Sequence, residues 1–502
     1  AVFAYRLVGY LATPRAGVVA GVLVVLGTPI GFWASIPKRH VLVSALVLAA
    51  VYCFARSRQT GSLRLRAGAY AFAGLIAWIH AFEGFFVVAA LGAVDLATAR
   101  SNGWRELAVV AIVLLVALTP TFATNTAIAG NPLQSPRLLP SVGVGGVELA
   151  PGGDLQAGES ANGIRTGGGG GEFVGDGSDG SSGGTGGGSG GTGGGSDAGG
   201  GGSDTGGSGS SGTEGSGGAI SWIVGLFAAL ASALIGLLPR PPDTVLVVLS
   251  FVVSTVTDGL AAITEAERLW YVFVRSGHIP EVRYLVNQYE VVELTVVESM
   301  PLAGALAALP AIAITKLRRR GRTLVGWPWS ASPARQTDLL VVTMATMVTV
   351  VYLSRLPLQS MLTVRYLLPV FPLALYGVAR LGVVSAAVTH SKRGLAIAYL
   401  GTVAGGTLLL LGILAVVDPA LGEAVQFHAL VNLATATTLA VAVAGRTIAP
   451  ARVGRRWVAT TLGVAAGATT IYVCFAALAY FTYGSFALDG VGVLAESLST
   501  LV

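Results

Sequence analysis

The chain has 502 residues, 53% of them hydrophobic and only 11% charged, with a net charge of +6. Soluble domains average about 25% charged residues, so the composition excludes a water-soluble globular protein and points to a polytopic membrane protein. The basic residues stand between apolar runs, where they act as topology signals, and no nucleic-acid partner is expected.

The opening stretch, AVFAYRLVGYLATPR, reads as the inner end of a span, so a preceding segment is expected upstream of Ala1. Candidate spans follow at 16–36, 41–56, 67–80 with 81–97, 105–124, 219–239, 243–262, 296–315, 337–355, 366–384, 394–416, 426–444 and 457–482. Each approaches the length that crosses a hydrocarbon core of about 30 Å. The expected fold is an all-α polytopic transmembrane bundle of about 12–13 spans. The connectors ARSRQTGSLRLRAG, ARSNGWRE, KLRRRGR, HSKRG and AGRTIAPARVGRRW are basic. Positive residues accumulate on the cytoplasmic side, and all five connectors fall there if 67–97 is a hairpin with IHAFEG at its outer tip. Cys53 and Cys474 lie in apolar runs and read as free, buried thiols.

This topology divides the chain into four parts: spans 1–124, an extracellular loop 125–218, central spans 219–384, and C-terminal spans 385–502. Within the loop, 167–218 is dominated by glycine and serine, with several Asp and Glu and no Lys or Arg. Such a composition buries too little apolar surface to offset chain entropy, so a disordered, acidic insertion is expected. It is no phosphate-binding loop, because no strand precedes it and no GK[ST] follows. The segment 263–295 reads either as an interfacial amphipathic helix, with Leu269, Trp270, Tyr271 and Phe273 against headgroups, or as a packed outer loop. The Gly-rich loop and the C-terminus are both expected outside the cell membrane.

Polar residues gather in four clusters that this topology brings to the outer face. They are IPKRH (Ile36–His40), IHAFEG (Ile79–Gly84), AGNPLQSPRLLP (Ala129–Pro140), and Arg355 with VRYLLP (Val364–Pro369). Ionisable groups at membrane depth are costly and mark function or a partner. The candidate site residues are Lys38, Arg39, His40, His80, Glu83, Arg137, Arg365 and Tyr366. Arginine forks and a lysine charge suit an anionic lipid phosphate at the outer leaflet, and Pro369 and Pro372 could bend the next helix to open a groove. The plainer readings are that Lys38 and Arg39 snorkel to the headgroups, and that His80 and Glu83 cap a hairpin. No HExxH or Cys/His cluster indicates a metal, and no GxSxG elbow is present.

At VRYLLPVFPLALYG the chain resembles the GT-C superfamily of membrane glycosyltransferases, most closely the protein O-mannosyltransferase and aminoarabinose transferase branch. Arg365, Tyr366 and Pro369 match its RY-x-x-P segment at the outer start of a late span. LIAWIHAFEGFFVVAALGAVDLA resembles its short-helix pair, with His80 as the tip histidine. The resemblance implies transfer of a sugar from a polyprenyl or dolichyl phosphate to a glycan, protein or lipid acceptor. It also implies a carboxylate in the first outer loop, expected here upstream of Ala1, so no catalytic residue is assigned within the chain. The implied partners are the lipid-linked donor and membrane lipid. No cofactor is assigned, and a divalent cation is compatible with the resemblance. The rival readings are a non-catalytic scaffold or glycan-assembly subunit, and a lipid-linked glycan flippase, which would place polar groups along a midplane path.

Overall fold

The computed structural model describes residues 1–36, 39–99, 102–132, 243–275, 294–320, 332–356, 365–417 and 421–480. Lys38, Arg137, the Gly/Ser-rich interval 167–218, the candidate span 219–239 and residues 276–293 lie outside them. The described residues are helical, with no strand. The helices are α1 (Val2–Leu11), α2 (Pro14–Leu26), α3 (Ile30–Ala34), α4 (Arg39–Thr60), α5 (Leu63–Ile79), α6 (Ala81–Thr98) and α7 (Trp104–Ala129). After the interval come α8 (Asp243–Thr264), α9 (Ala266–Leu269), α10 (Val296–Ser299), α11 (Leu309–Arg320) and α12 (Pro333–Leu353). The last group is α13 (Val370–Arg380), α14 (Gly382–His390), α15 (Lys392–Val417), α16 (Leu421–Ile448) and α17 (Arg455–Tyr480).

Among the described residues, eight helices are long and apolar enough to cross a membrane, or nine if α13 and α14 form one bent span. The chain is therefore a multi-pass helical bundle, with fewer spans described than the twelve or so expected. Three local features account for much of the difference. The run 16–36 is broken: α2 ends at Gly27, and Pro29 follows Thr28, whose hydroxyl donates to the Val24 carbonyl at 2.5 Å and accepts from the Ile30 amide at 3.3 Å. A residue before proline is driven out of the helical region, which separates the 13-residue α2 from the short α3. The run 366–384 is also broken, by a 77° bend between α13 and α14. Leu381 is extended there, with φ −66° and ψ 116°. Finally, α5 has 17 residues and carries Arg64 and Arg66 in its first turn.

Helix starts are set by local chemistry. The Thr13 side chain accepts the Ala16 amide at 3.1 Å with Pro14 at the first helical position, where its missing N–H costs nothing. Ser62 caps α5 in the same way. A single residue, His80, ends α5 and caps α6. The two helices are antiparallel, because Arg66 at the start of α5 meets Asp95 near the end of α6. At Gly84 the backbones come close enough that any Cβ would overlap Ala77.

The core centres on α12, which packs against α4, α6, α8 and α13 and buries Leu340, Met344 and Leu353 almost completely. A 3₁₀ segment, Pro301–Ala308, joins this group to α16 and α17. By contrast, α7 and α15 are apolar yet hold few fully buried residues, as expected of helices with one side turned to lipid. Cys53 is buried, whereas Cys474 is exposed on α17, so only the first matches the expectation of a buried thiol. Of the segment 263–295, residues 265–275 form α9 and a π turn. Leu269 and Phe273 pack on the core while Trp270 is half exposed. Arg268 donates to the carbonyls of Leu353, Ser354 and Leu356, capping the end of α12. The described part is thus a short helical segment that packs on the core and leaves Trp270 exposed.

Candidate functional site

The starts of α4 and α6, the end of α12 and the 3₁₀ turn Arg365–Leu367 meet at one end of the bundle. Glu83 sits in the first turn of α6, where the helix dipole favours an anion, and only 4% of its side chain is exposed. Its Oε1 accepts the hydroxyl of Tyr352, from the last turn of α12. The Tyr352 ring stacks on Tyr366, with centroids 5.4 Å apart and planes at 26°. Tyr366 in turn meets the ring of His40 edge to face at 5.3 Å. A continuous line of contacts therefore runs from Glu83 through Tyr352 and Tyr366 to His40.

His80 flanks this line. Its Nδ1 accepts the Glu83 amide at 3.3 Å and stands 3.7 Å from Glu83 Oε1. A ring nitrogen that accepts an N–H has no proton to offer the carboxylate, so the close approach is a helix cap and not an ion pair. That is the plainer of the two sequence readings for His80.

Two guanidinium groups complete the site. Arg39 lies near enough to act electrostatically on the Tyr352 hydroxyl. Arg365 lies 5.3 Å from the ring of Tyr366. Among the described residues neither has a carboxylate partner, and the Nε of each is buried without an acceptor. Arg355, close by in sequence, is different. It lies 4.6 Å from Phe251 and 5.2 Å from Phe82, and it donates to Thr255 at 2.5 Å. Burial pulls its pKa down, and Asp258 acts in the opposite direction. Among the described residues Arg355 thus has a hydroxyl acceptor and two aromatic rings, whereas the Nε of Arg39 and of Arg365 has no acceptor.

The structure thus brings together Arg39, His40, His80, Glu83, Arg365 and Tyr366 from the sequence-derived set. Lys38 and Arg137 lie outside the described residues, although Lys38 adjoins Arg39 in sequence. Tyr352 was missed by the sequence reading, despite linking Glu83 to Tyr366. Its only signal was an aromatic hydroxyl one residue before the end of an apolar helix. No group of three or more His, Cys, Asp or Glu among the described residues could hold a metal.

The opposite end of the bundle holds two ionic clusters that the sequence reading treated only as topology signals. Asp95, 1% exposed, receives Arg58 at 2.5 Å, Arg66 at 2.7 Å and the Tyr70 hydroxyl at 3.0 Å. Arg66 extends to Asn102 at 2.8 Å. Asp338 near the start of α12 receives Arg380 through two nitrogens, at 2.8 and 2.9 Å, and Tyr376 at 2.7 Å. Arg66 also reaches Glu106 at 3.4 Å, so each arginine here stands against a carboxylate, although Arg58 Nε is itself buried without an acceptor; the clusters clamp helices together. Comparison with protein-family models, with curated proteins and with solved structures found no match.

Proposed function

We propose that the chain is the membrane portion of a GT-C-type glycosyltransferase, which takes a sugar from a polyprenyl phosphate or dolichyl phosphate donor. One observation carries the reading: Arg39 and Arg365, half buried and without carboxylate partners among the described residues, stand beside one aromatic stack at one end of the bundle. Leaving a buried charged donor without a partner costs more than the roughly 1–3 kcal/mol of a neutral one. A phosphate oxygen supplies the acceptor that both groups lack, and guanidinium suits it geometrically.

In the reaction, the bond between the anomeric carbon and the phosphate oxygen breaks as an acceptor oxygen or nitrogen bonds to that carbon. The acceptor's proton passes to a general base, a role to which no residue of this chain is assigned. Arg365 and Arg39 oppose the charge that grows on the departing lipid phosphate, with Lys38 and Arg137 as further candidates for the same task. Tyr366 lines the phosphate position, and the Glu83–Tyr352 hydrogen bond holds Tyr366 in place through stacking. Glu83 is a positioning residue in this scheme. The acceptor is a glycan, a protein or a lipid.

The test is binding of undecaprenyl phosphate to the full chain in phosphatidylcholine vesicles. Arg365→Ala and Arg39→Ala should each weaken binding by about tenfold or more, as expected for loss of a charged hydrogen bond. Both variants should unfold at the temperature of the unaltered protein. Equal affinity in all three proteins would overturn the reading.

A further inference from the structure

A second site lies at the other end of α12. A cavity of about 920 Å³ opens between α11, α12, α13, α14, α16 and the start of α17. Its walls are apolar along most of their length, with Leu309, Ile312, Val342, Ala345 and Leu373 among them. Leu309 and Val342 are 48% and 61% exposed, so the cavity is a groove open sideways, in the direction that faces hydrocarbon in a bilayer. Leu381, Gly382 and Val383 line it at the 77° bend between α13 and α14.

The polar end of the groove is strongly basic. Lys316, Arg380, Arg446 and Arg455 line it, and among the described residues Asp338 is the one carboxylate in its lining. Asp338 is already committed to Arg380. Arg446 donates to the backbone carbonyls of Val453, at 2.9 Å, and Pro450, which leaves its charge unmatched by an acid. Lys316 and Arg455 are exposed at the rim. The apolar groove thus ends at an uncompensated positive mouth, on the side that carries the basic connectors.

We infer that this groove binds an anionic phospholipid of the bilayer, with its phosphate at Lys316, Arg446 and Arg455 and an acyl chain along Leu309, Ile312 and Val342. Charge complementarity selects an anionic headgroup over a zwitterionic one, and basic pockets between membrane helices are known to select anionic headgroups. The sideways opening selects a membrane lipid over a soluble anion. The site is separate from the proposed donor site and does not depend on the transferase reading: the two lie at opposite ends of α12.

The experiment is native mass spectrometry of the purified full chain in detergent, titrated with dioleoyl phosphatidylglycerol or dioleoyl phosphatidylcholine. Retention of the anionic lipid should be about tenfold stronger, given the contribution of each basic residue near a headgroup. The double variant Lys316→Gln, Arg455→Gln should lose that preference. It spares the Arg380–Asp338 pair and so tests the mouth without breaking a structural clamp. Ala345→Phe, which fills the apolar wall, should reduce retention of both lipids. Equal retention of the two lipids by the unaltered protein would overturn the inference. So would a preference that survives the double variant, or displacement of phosphatidylglycerol by inorganic phosphate.

Discussion

At the scale of single residues, the site is built from groups with opposite energetic standing. The Tyr352 hydroxyl donates to Glu83 Oε1 in a buried setting. Replacing Tyr352 with Phe removes a donor from a carboxylate that water reaches poorly, so Tyr352→Phe should destabilise the protein by about 1–3 kcal/mol. Thermal unfolding in detergent measures this. Among the described residues Arg365 has no carboxylate partner to lose, so Arg365→Ala should leave stability within about 0.5 kcal/mol of the unaltered protein while abolishing donor use. If unfolding shifts strongly in Arg365→Ala and not in Tyr352→Phe, the assignment of structural and binding roles is reversed. Arg365 was legible in the sequence, because a cation directly before a long apolar run with two prolines is unusual enough to need a reason. Tyr352 was not: its importance comes from Glu83, far away in the chain, and no local pattern encodes that contact.

At the scale of elements, apolar runs and basic connectors placed most of the helices, and His80 as the break between α5 and α6 was visible as the polar tip of IHAFEG. What escaped were features set by distant partners. The bend after Arg380 falls at Leu381, with Gly382 opening the next helix, and Arg380 there donates to Asp338 and the Leu11 carbonyl. Asp95 was equally hard to interpret, since one acid in an apolar helix does not reveal that Arg58 and Arg66 converge on it. Asp95→Asn would leave two buried guanidinium groups facing a neutral amide. Breaking a buried ion pair from one side costs about 3–5 kcal/mol, so this variant should unfold far earlier in a thermal melt. An unchanged melting temperature would show that the cluster does not hold α4, α5 and α6 together. Gly84→Leu tests the same hairpin from its other end. The added side chain must displace Ala77, which moves Glu83 away from Tyr352, so loss of lipid-phosphate binding should accompany the loss of stability.

At the scale of the whole molecule, the two ends of α12 carry different chemistry. The helix has 21 residues, about 32 Å at 1.5 Å per residue, close to the thickness of a hydrocarbon core. Tyr352 at one end belongs to the site with Arg39 and Arg365; Asp338 at the other belongs to the basic end, with Lys316, Arg446 and Arg455. A bilayer crossed by α12 would separate the two sites, and the distribution of positive charge predicts which one faces the cytoplasm. Glu265, exposed beside α8 at the first end, and Ala451, exposed in the connector before α17 at the second, report on this directly. In a background of Cys53→Ala and Cys474→Ala, a membrane-impermeant maleimide added to intact cells should label Glu265→Cys at once. Ala451→Cys should react only after the membrane is permeabilised. The reverse pattern would put Arg365 on the cytoplasmic side, so any lipid phosphate held there would come from the inner leaflet, and the acceptor would have to be cytoplasmic. Labelling of both positions in intact cells would mean that α12 does not span the bilayer, and neither site would then lie at the leaflet that its chemistry requires.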